Sequence, residues 1–288
     1  MSLIDTHTLA HLQSWQGRSD ILHDDITAVP LRAWMATLDR SLSEVLVGTE
    51  LPPLGHWLYF LPTHAQSELG PDGHAQRGGF LPPVPLPRRM WAGGRLQWLQ
   101  PLKVGDAVQR RSRIASVKHK AGRSGDLIFV EVVHEVHNPL GLCLTEVHDI
   151  VYRPAPHPND PVTAPVAAPS AAAWQRTVVP DAVLLFRYSA LTFNGHRIHY
   201  DRAYVTQEEG YPGLVVHGPL LATLLLDLVA RHTDRPVRHF SFKAMRPTFE
   251  CGDGRAFKVC GQPDGNRVDL WAQDHEGWLT MQATAELA

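Results

Sequence analysis

The run Leu191-Thr192-Phe193-Asn194-Gly195-His196-Arg197-Ile198-His199-Tyr200-Asp201 is followed downstream by Pro219-Leu220-Leu221-Ala222-Thr223-Leu224-Leu225-Leu226-Asp227-Leu228-Val229-Ala230. The second stretch is too long for an ordinary strand and too short to cross a bilayer. Its apolar positions leave no polar face, so it reads as a helix buried on nearly every side. Val216-His217-Gly218 leads into it, and Pro219 suits a first helical position, where a missing N–H is harmless. Around the first stretch, Leu184 to Ser189 reads as a short β segment. Arg202 to Glu209 reads as a helix stopped by Gly210, with Asp201 as its N-cap.

A helix start leaves unpaired N–H groups and partial positive charge, which would stabilise a thioester oxygen as it becomes an enolate. Gly218 is the natural donor, since without Cβ the main chain can be approached closely. His199, nineteen residues upstream, titrates in the range a general acid or base needs. Spacing alone fits a plainer pattern as well, with Gly218 as the turn into the helix and His199 as a hydrogen-bonded core histidine. His217 either touches substrate or pins that turn.

Asn194 to Asp201, with Gly218 downstream, resembles the signature of MaoC-like (R-specific) enoyl-CoA hydratases. That family has a hotdog fold, a long helix wrapped by an antiparallel sheet. Its Gly-Asp-x-Asn-Pro-x-His-x-Asp pattern supplies a catalytic Asp and His, and a later His-Gly provides an oxyanion N–H. The resemblance puts the catalytic His on His199, the downstream Asp on Asp201 and the oxyanion donor on Gly218. Phe193, His196 and Arg197 replace the family Gly, Asn and Pro, and Asn194 stands where the catalytic Asp would be. An amide cannot take a proton, so Asn194 is expected only to orient water or substrate.

The longer run from Ser189 to Asp201 resembles a narrower branch, the two-domain mesaconyl-C4-CoA and itaconyl-CoA hydratases and the related 3-hydroxyacyl-thioester dehydratases. There the Asn form is usual. The likeness extends to Leu81-Pro82-Pro83-Val84-Pro85-Leu86-Pro87-Arg88-Arg89-Met90-Trp91-Ala92-Gly93-Gly94. It implies an α+β double hotdog with a degenerate N-terminal copy, and a hydro-lyase that hydrates a short branched dicarboxylic enoyl-CoA, as in itaconate degradation. Coenzyme A would be part of the substrate and no cofactor is implied. Alternatives of the same fold are a fatty-acid-type dehydratase, a thioesterase or an acyl-thioester-binding protein. Such a ligand needs cations, and the candidates are Arg197, Arg88 and Arg89, with His196 and His217 beside them and Lys243 and Arg246 as weaker ones.

The bulk sequence narrows the classes. Its 288 residues suffice for two domains. With 27 Lys and Arg against 29 Asp and Glu, no basic field points to nucleic acid. Three cysteines without a Cys-x-x-Cys fit a reducing compartment. Lacking a leader-like start or a spanning apolar run, the chain is expected to be cytoplasmic, possible as a homodimer, and free of membrane partners. His196-x-x-His199 has ligand-like spacing, but no further cluster in sequence completes a shell, so no metal is expected.

In chain order, the first forty residues read as helix, capped at Asp24 or Asp25 and interrupted by Pro30. Leu51 to Pro62 reads as core. Thr63 to Pro87 forms a long Gly/Pro loop, a candidate lid or subunit contact. Strands are expected over Arg95–Leu99, Ala107–Lys118, Leu127–His137 and Leu142–Tyr152, with turns at Val104 to Asp106, Gly122 to Asp126 and Asn138 to Gly141. Pro154 to Ala173, thirteen of twenty residues Pro or Ala, reads as an extended tether. It divides the chain into 1–153, a linker 154–173 and 174–288. Arg246 to Asp253 echoes Gln100 to Asp106, and strands near Ala256–Gly261, Arg267–Gln273 and Trp278–Leu287 continue the echo. The two halves thus read as copies of one α+β unit, and only the second keeps the His199 motif.

Overall fold

The computed structural model describes residues 4–41, 44–122, 125–155 and 164–288. Its N-terminal half runs α1 (Thr6–Gln13), β1 (Ser19–Asp25), α2 (Ala28–Thr37), β2 (Arg88–Trp98), β3 (Ala107–Gly122), β4 (Gly125–Asn138) and β5 (Gly141–Arg153). The C-terminal half runs β6 (Trp174–Val178), α3 (Ala182–Leu191), α4 (Arg202–Gln207), β7 (Leu214–Val215), α5 (Gly218–Ala230), β8 (Val237–Ala244), β9 (Phe249–Glu250), β10 (Phe257–Asp264), β11 (Arg267–Gln273) and β12 (Leu279–Leu287).

The strand order β1-β3-β4-β5-β2-β8-β12-β11-β10-β6 reads the same from either end once the halves are matched. β1 corresponds to β6, β2 to β8, and β3, β4 and β5 to β10, β11 and β12. This is a double hotdog in which the two five-stranded units join edge to edge. The join is the antiparallel pair β2–β8, from Gly93 opposite Lys243 to Gln97 opposite His239. A Cβ on Gly93 would stand 2.5 Å from the Phe242 carbonyl. No side chain fits there, which explains a glycine at that point of the Trp91-Ala92-Gly93-Gly94 run.

The second copy has its helix and the first does not. In α5 every residue from Leu220 to Val229 is buried, and at roughly 1.5–3 kcal/mol per large aliphatic side chain this packing dominates the local energetics. Its lone charge, Asp227, is matched by Arg40, Arg176 and Arg231. Arg40 comes from the other half, so this carboxylate also ties the halves together. In the first copy the place of the helix is taken by a short turn, Gly55–Leu58, and the long loop before β2. Leu54, Leu58, Tyr59 and Phe60 are core residues, as the apolar Leu51 to Pro62 run requires. On the inner face, His56, Trp57 and His148 all donate to buried Glu146.

Several elements differ from the sequence reading. Leu184 to Ser189 is helix α3: Asp181 accepts the Leu184 N–H at 2.7 Å as N-cap, and Leu185, Tyr188 and Ser189 share the buried face. Helical spacing, not alternation, decides that apolar run. Near the N-terminus, Asp24 and Asp25 end strand β1, α2 starts after Thr27, and Pro30 sits harmlessly in its first turn. β2 starts at Arg88, seven residues before the expected strand. The short strands β1, β6 and β8 are also additions. Part of the expected tether and the centre of the Gly122 to Asp126 turn lie outside the described residues. From Ala164 onward the tether is docked: Val166 accepts the Leu279 N–H at 2.8 Å, and Ala168 and Ala172 pack on Cys260, Trp271 and Leu279. Among the described residues no helix is long and apolar enough to cross a membrane.

Candidate active site

Two short strands set the geometry. β7 pairs with β9 at Leu214–Glu250 and Val215–Phe249, and the Val216 N–H is held by the Thr248 carbonyl at 2.8 Å. The Val215 carbonyl then accepts the Nδ1–H of His199 at 2.7 Å. Because a carbonyl can only accept, this bond fixes the neutral tautomer and leaves Nε2 as the basic nitrogen. Burial, with the proximity of His74, pulls His199 down to about 4, only partly countered by the Val215 bond. The residue is 7% exposed.

His199 stacks on His217 with ring centroids 3.7 Å apart and planes within 18°. His217 immediately precedes Gly218, so imidazole and helix start are adjacent. His217 is fully buried and shares a hydrogen bond with Ser189 at 2.8 Å, and Tyr188 meets Thr223 of α5 at 3.3 Å. Ser189 and Tyr188 therefore both point inward from α3, where a strand would have separated them. His217 pins the turn and backs the His199 ring. At Gly218 an added Cβ would meet nothing within 4 Å, so packing gives no reason for a glycine there. Its N–H, at the first helical position, has no intrahelical acceptor.

Asn194 is half-buried in the turn after α3, and its side-chain Oδ1 accepts the His196 N–H at 3.0 Å. That bond turns the amide nitrogen, a donor, to the free side. Phe193 takes φ +48 to make the turn, a backbone state that suits the family glycine it replaces. Asp201 caps α4 through the Tyr204 N–H and accepts two bonds from Arg197 at 3.0 and 2.7 Å.

The three arginines fare differently. Arg197 is committed to Asp201 and the Pro71 carbonyl and lies 4.1 Å over the Tyr204 ring. Arg88 is committed to Tyr211 and Glu209, a latch from one half to the other. Neither guanidinium is therefore placed for substrate in this state. Arg89 sits against the Tyr152 hydroxyl and near His74 and His196; burial pulls both imidazoles down, and the Arg89 charge adds a smaller push in the same direction. It makes no ion pair with a carboxylate among the described residues.

Asp72 and His74, absent from the sequence-based set, complete the surroundings. The Asp72 carbonyl accepts the Arg197 N–H at 2.9 Å, and the His74 ring lies 3.9 Å from that of His196. At Gly73, φ is +86 and a Cβ would stand 1.9 Å from the Gly195 carbonyl. The loop marked as a candidate lid thus lies directly on the motif. The polar triplet Asp72-Gly73-His74 inside an otherwise Gly/Pro-rich loop was the available signal. Cavities of about 260 and 430 Å³ lie elsewhere, beside Arg176 and Arg187 and beside His23 and His137.

Comparison with known proteins agrees with this architecture. Residues 54–250 match the family described as hydroxyacyl-thioester dehydratase type 2. The chain is 48% identical over 281 residues to the mesaconyl-C(4)-CoA hydratase of Chloroflexus aurantiacus, covering 96% of this chain and 98% of that one. The crystal structure of HtdX from Mycobacterium tuberculosis superposes with a TM-score of 0.64 at 18% identity, covering 94% of this chain and 100% of that one. A second Mycobacterium tuberculosis structure, described as a double hotdog fold, gives 0.52 at 13% identity over 95% and 96%. An antiparallel double hotdog, a basic imidazole beside a helix start and these matches lead to one assignment: the chain belongs to the hydroxyacyl-thioester dehydratase type 2 family and is a hydro-lyase.

Proposed function

We propose that the protein reversibly hydrates a short, branched dicarboxylic enoyl-CoA of the mesaconyl-C4-CoA or itaconyl-CoA type, giving a citramalyl-CoA-type product. The observation that carries this reading is the Val215–His199 bond, which presents an unprotonated Nε2 on a ring stacked against the residue before Gly218. The thioester oxygen accepts the Gly218 N–H, which draws electron density from the conjugated double bond. A water is held by the Asn194 amide N–H and by His199 Nε2. His199 takes one proton, the hydroxyl adds to the β carbon, and the imidazolium returns the proton to the α carbon. Arg89 pairs with the free carboxylate. No cofactor takes part, since coenzyme A arrives as part of the substrate.

Asp72, His74, His196 and Arg89 make the surroundings polar, which favours a short charged acyl group over the long chain of a fatty-acid-type dehydratase. The assay follows loss of enoyl-thioester absorbance with mesaconyl-C4-CoA. His199→Ala is expected to lower turnover by roughly 10²- to 10⁴-fold, and turnover close to wild type would remove His199 from its role. Release of free thiol instead of loss of the double bond would identify a thioesterase.

A further inference from the structure

The loop that stands in for the missing helix of the N-terminal half delivers a hydrogen-bonded pair to the motif of the other half. Asp72 accepts the His74 backbone N–H at 3.1 Å and pairs with His74 Nδ1 at 3.0 Å. One nitrogen or oxygen of each of Asp72, His74 and His196 lies within 4.8 Å of the others, a spacing that a single bridging group can span. His74 Nε2 and both ring nitrogens of His196 have no hydrogen-bond partner among the described residues, though both rings are half-buried. Arg89, also without a carboxylate, is their charged neighbour.

Two ligand classes could use such a cluster. Two imidazoles on one tetrahedral ion, with nitrogens about 2.0–2.1 Å from it, would hold their centroids roughly 5 Å apart. The observed 3.9 Å with a 41° tilt is a stack, and the nearby guanidinium opposes a cation. An anion accepts from the Arg89 guanidinium and an imidazole N–H of His196, and from His74 Nε2 once that ring is protonated.

We infer that His74, together with His196 and Arg89, forms a subsite for the free carboxylate of the substrate, so that the N-terminal half sets the preference for dicarboxylic over monocarboxylic enoyl thioesters. This rests on the hydratase reading above. Asp72 holds Nδ1–H, so the nitrogen facing a ligand is Nε2, which in the neutral ring carries a lone pair. Carboxylate binding there requires His74 to take up a proton, and Asp72 on the far side stabilises the resulting imidazolium. The groups facing His74 are Asp72 and Arg77 from its own loop, Arg89 from β2, and His196 and His199 from the motif, and burial holds the free His74 ring neutral by pulling it down. Arg77 is bound to the carbonyls of Val84, Leu86 and Pro87 and is unavailable to the ligand. Binding of a diacid is therefore coupled to proton uptake, and binding of a monoacid is not.

The test compares kcat and KM of the full chain for mesaconyl-C4-CoA and crotonyl-CoA across pH, in wild type, His74→Ala, His74→Gln and Asp72→Asn, with thermal unfolding of each. The diacid-to-monoacid ratio of kcat/KM is expected to fall by about 10- to 100-fold in both His74 variants, the range for one charge-assisted hydrogen bond, and mainly through KM. The wild-type KM for the diacid should climb with pH while that for the monoacid stays flat, and the climb should start at lower pH in Asp72→Asn. An unchanged ratio, or proportional loss on both substrates, would overturn the subsite even if one His74 variant folds poorly, because Asp72→Asn reports independently. Absence of hydration of either substrate by wild type would instead remove the hydratase reading itself.

Discussion

Gly218→Ala separates chemistry from folding more cleanly than any other change. The glycine is not needed for backbone conformation, because its φ is not among the positive ones, and an added Cβ meets open space. Alanine is the better helix former by up to about 1 kcal/mol in a helix interior and by less at the first position. The variant should therefore unfold at the same temperature or up to about 2–4 °C higher. The methyl group would stand about 2.5 Å from its own amide nitrogen, beside the N–H proposed to bind the thioester oxygen. Removing one oxyanion donor typically costs roughly 10²–10³ in kcat, the upper bound for crowding of this N–H by a methyl group. The assays are calorimetric or fluorescence unfolding beside enoyl-CoA hydration. A variant as stable as wild type with kcat/KM within about twofold would refute the reasoning, since nothing would then approach that N–H.

Acid should act on both stability and rate. His199, His134 and His217 are all pushed down by burial, His199 to about 4. The unfolded chain, with histidines near 6.5, then binds protons first, so stability is full above about pH 6.5 and is lost as pH falls toward 4. Tryptophan fluorescence melts should show the midpoint flat from pH 7 to 8 and falling below about 6.5, and a midpoint rising on acidification would contradict the sign. The acid limb of kcat/KM should likewise lie near 4 where the protein stays folded. Gly73→Ala should displace the loop from Gly195, costing roughly 10²-fold in kcat/KM with about 1–3 kcal/mol or less in stability. Full activity would show that the loop plays no part. Asp227→Ala removes the carboxylate shared by Arg40, Arg176 and Arg231. Urea unfolding should show a loss near 3 kcal/mol, the low end for a buried pair because the arginines are partly exposed, and a loss under about 1 kcal/mol would rule out its role as a tie between the halves.

What the sequence determined by itself was local or periodic. The largely apolar stretch after His-Gly-Pro reads as a helix buried on nearly every side, while the sheet around it was implied only by the family resemblance; the echo between Gln100–Asp106 and Arg246–Asp253 revealed the duplicated unit because each precedes an equivalent strand, β3 and β10. His199 and Gly218 were singled out by the motif resemblance, and the structure stacks the His199 ring on the residue before Gly218. β8 was legible in principle, with Phe240 and Phe242 alternating against polar neighbours. Leu184 to Ser189 was not, because a short apolar run satisfies either period until an N-cap and a packing partner choose between them. The tertiary structure alone decided which donors were already committed. It tied Arg197 and Arg88 to carboxylates, gave the His199 proton to a carbonyl on β7, and brought Asp72 and His74 across from the other half. The Arg88 latch and the arrival of Asp72 join residues more than a hundred positions apart, where one-dimensional spacing carries no information about which polar groups meet; the Arg197–Asp201 and His199–Val215 bonds span only four and sixteen residues but depend on the local turn and on β7 being held by β9.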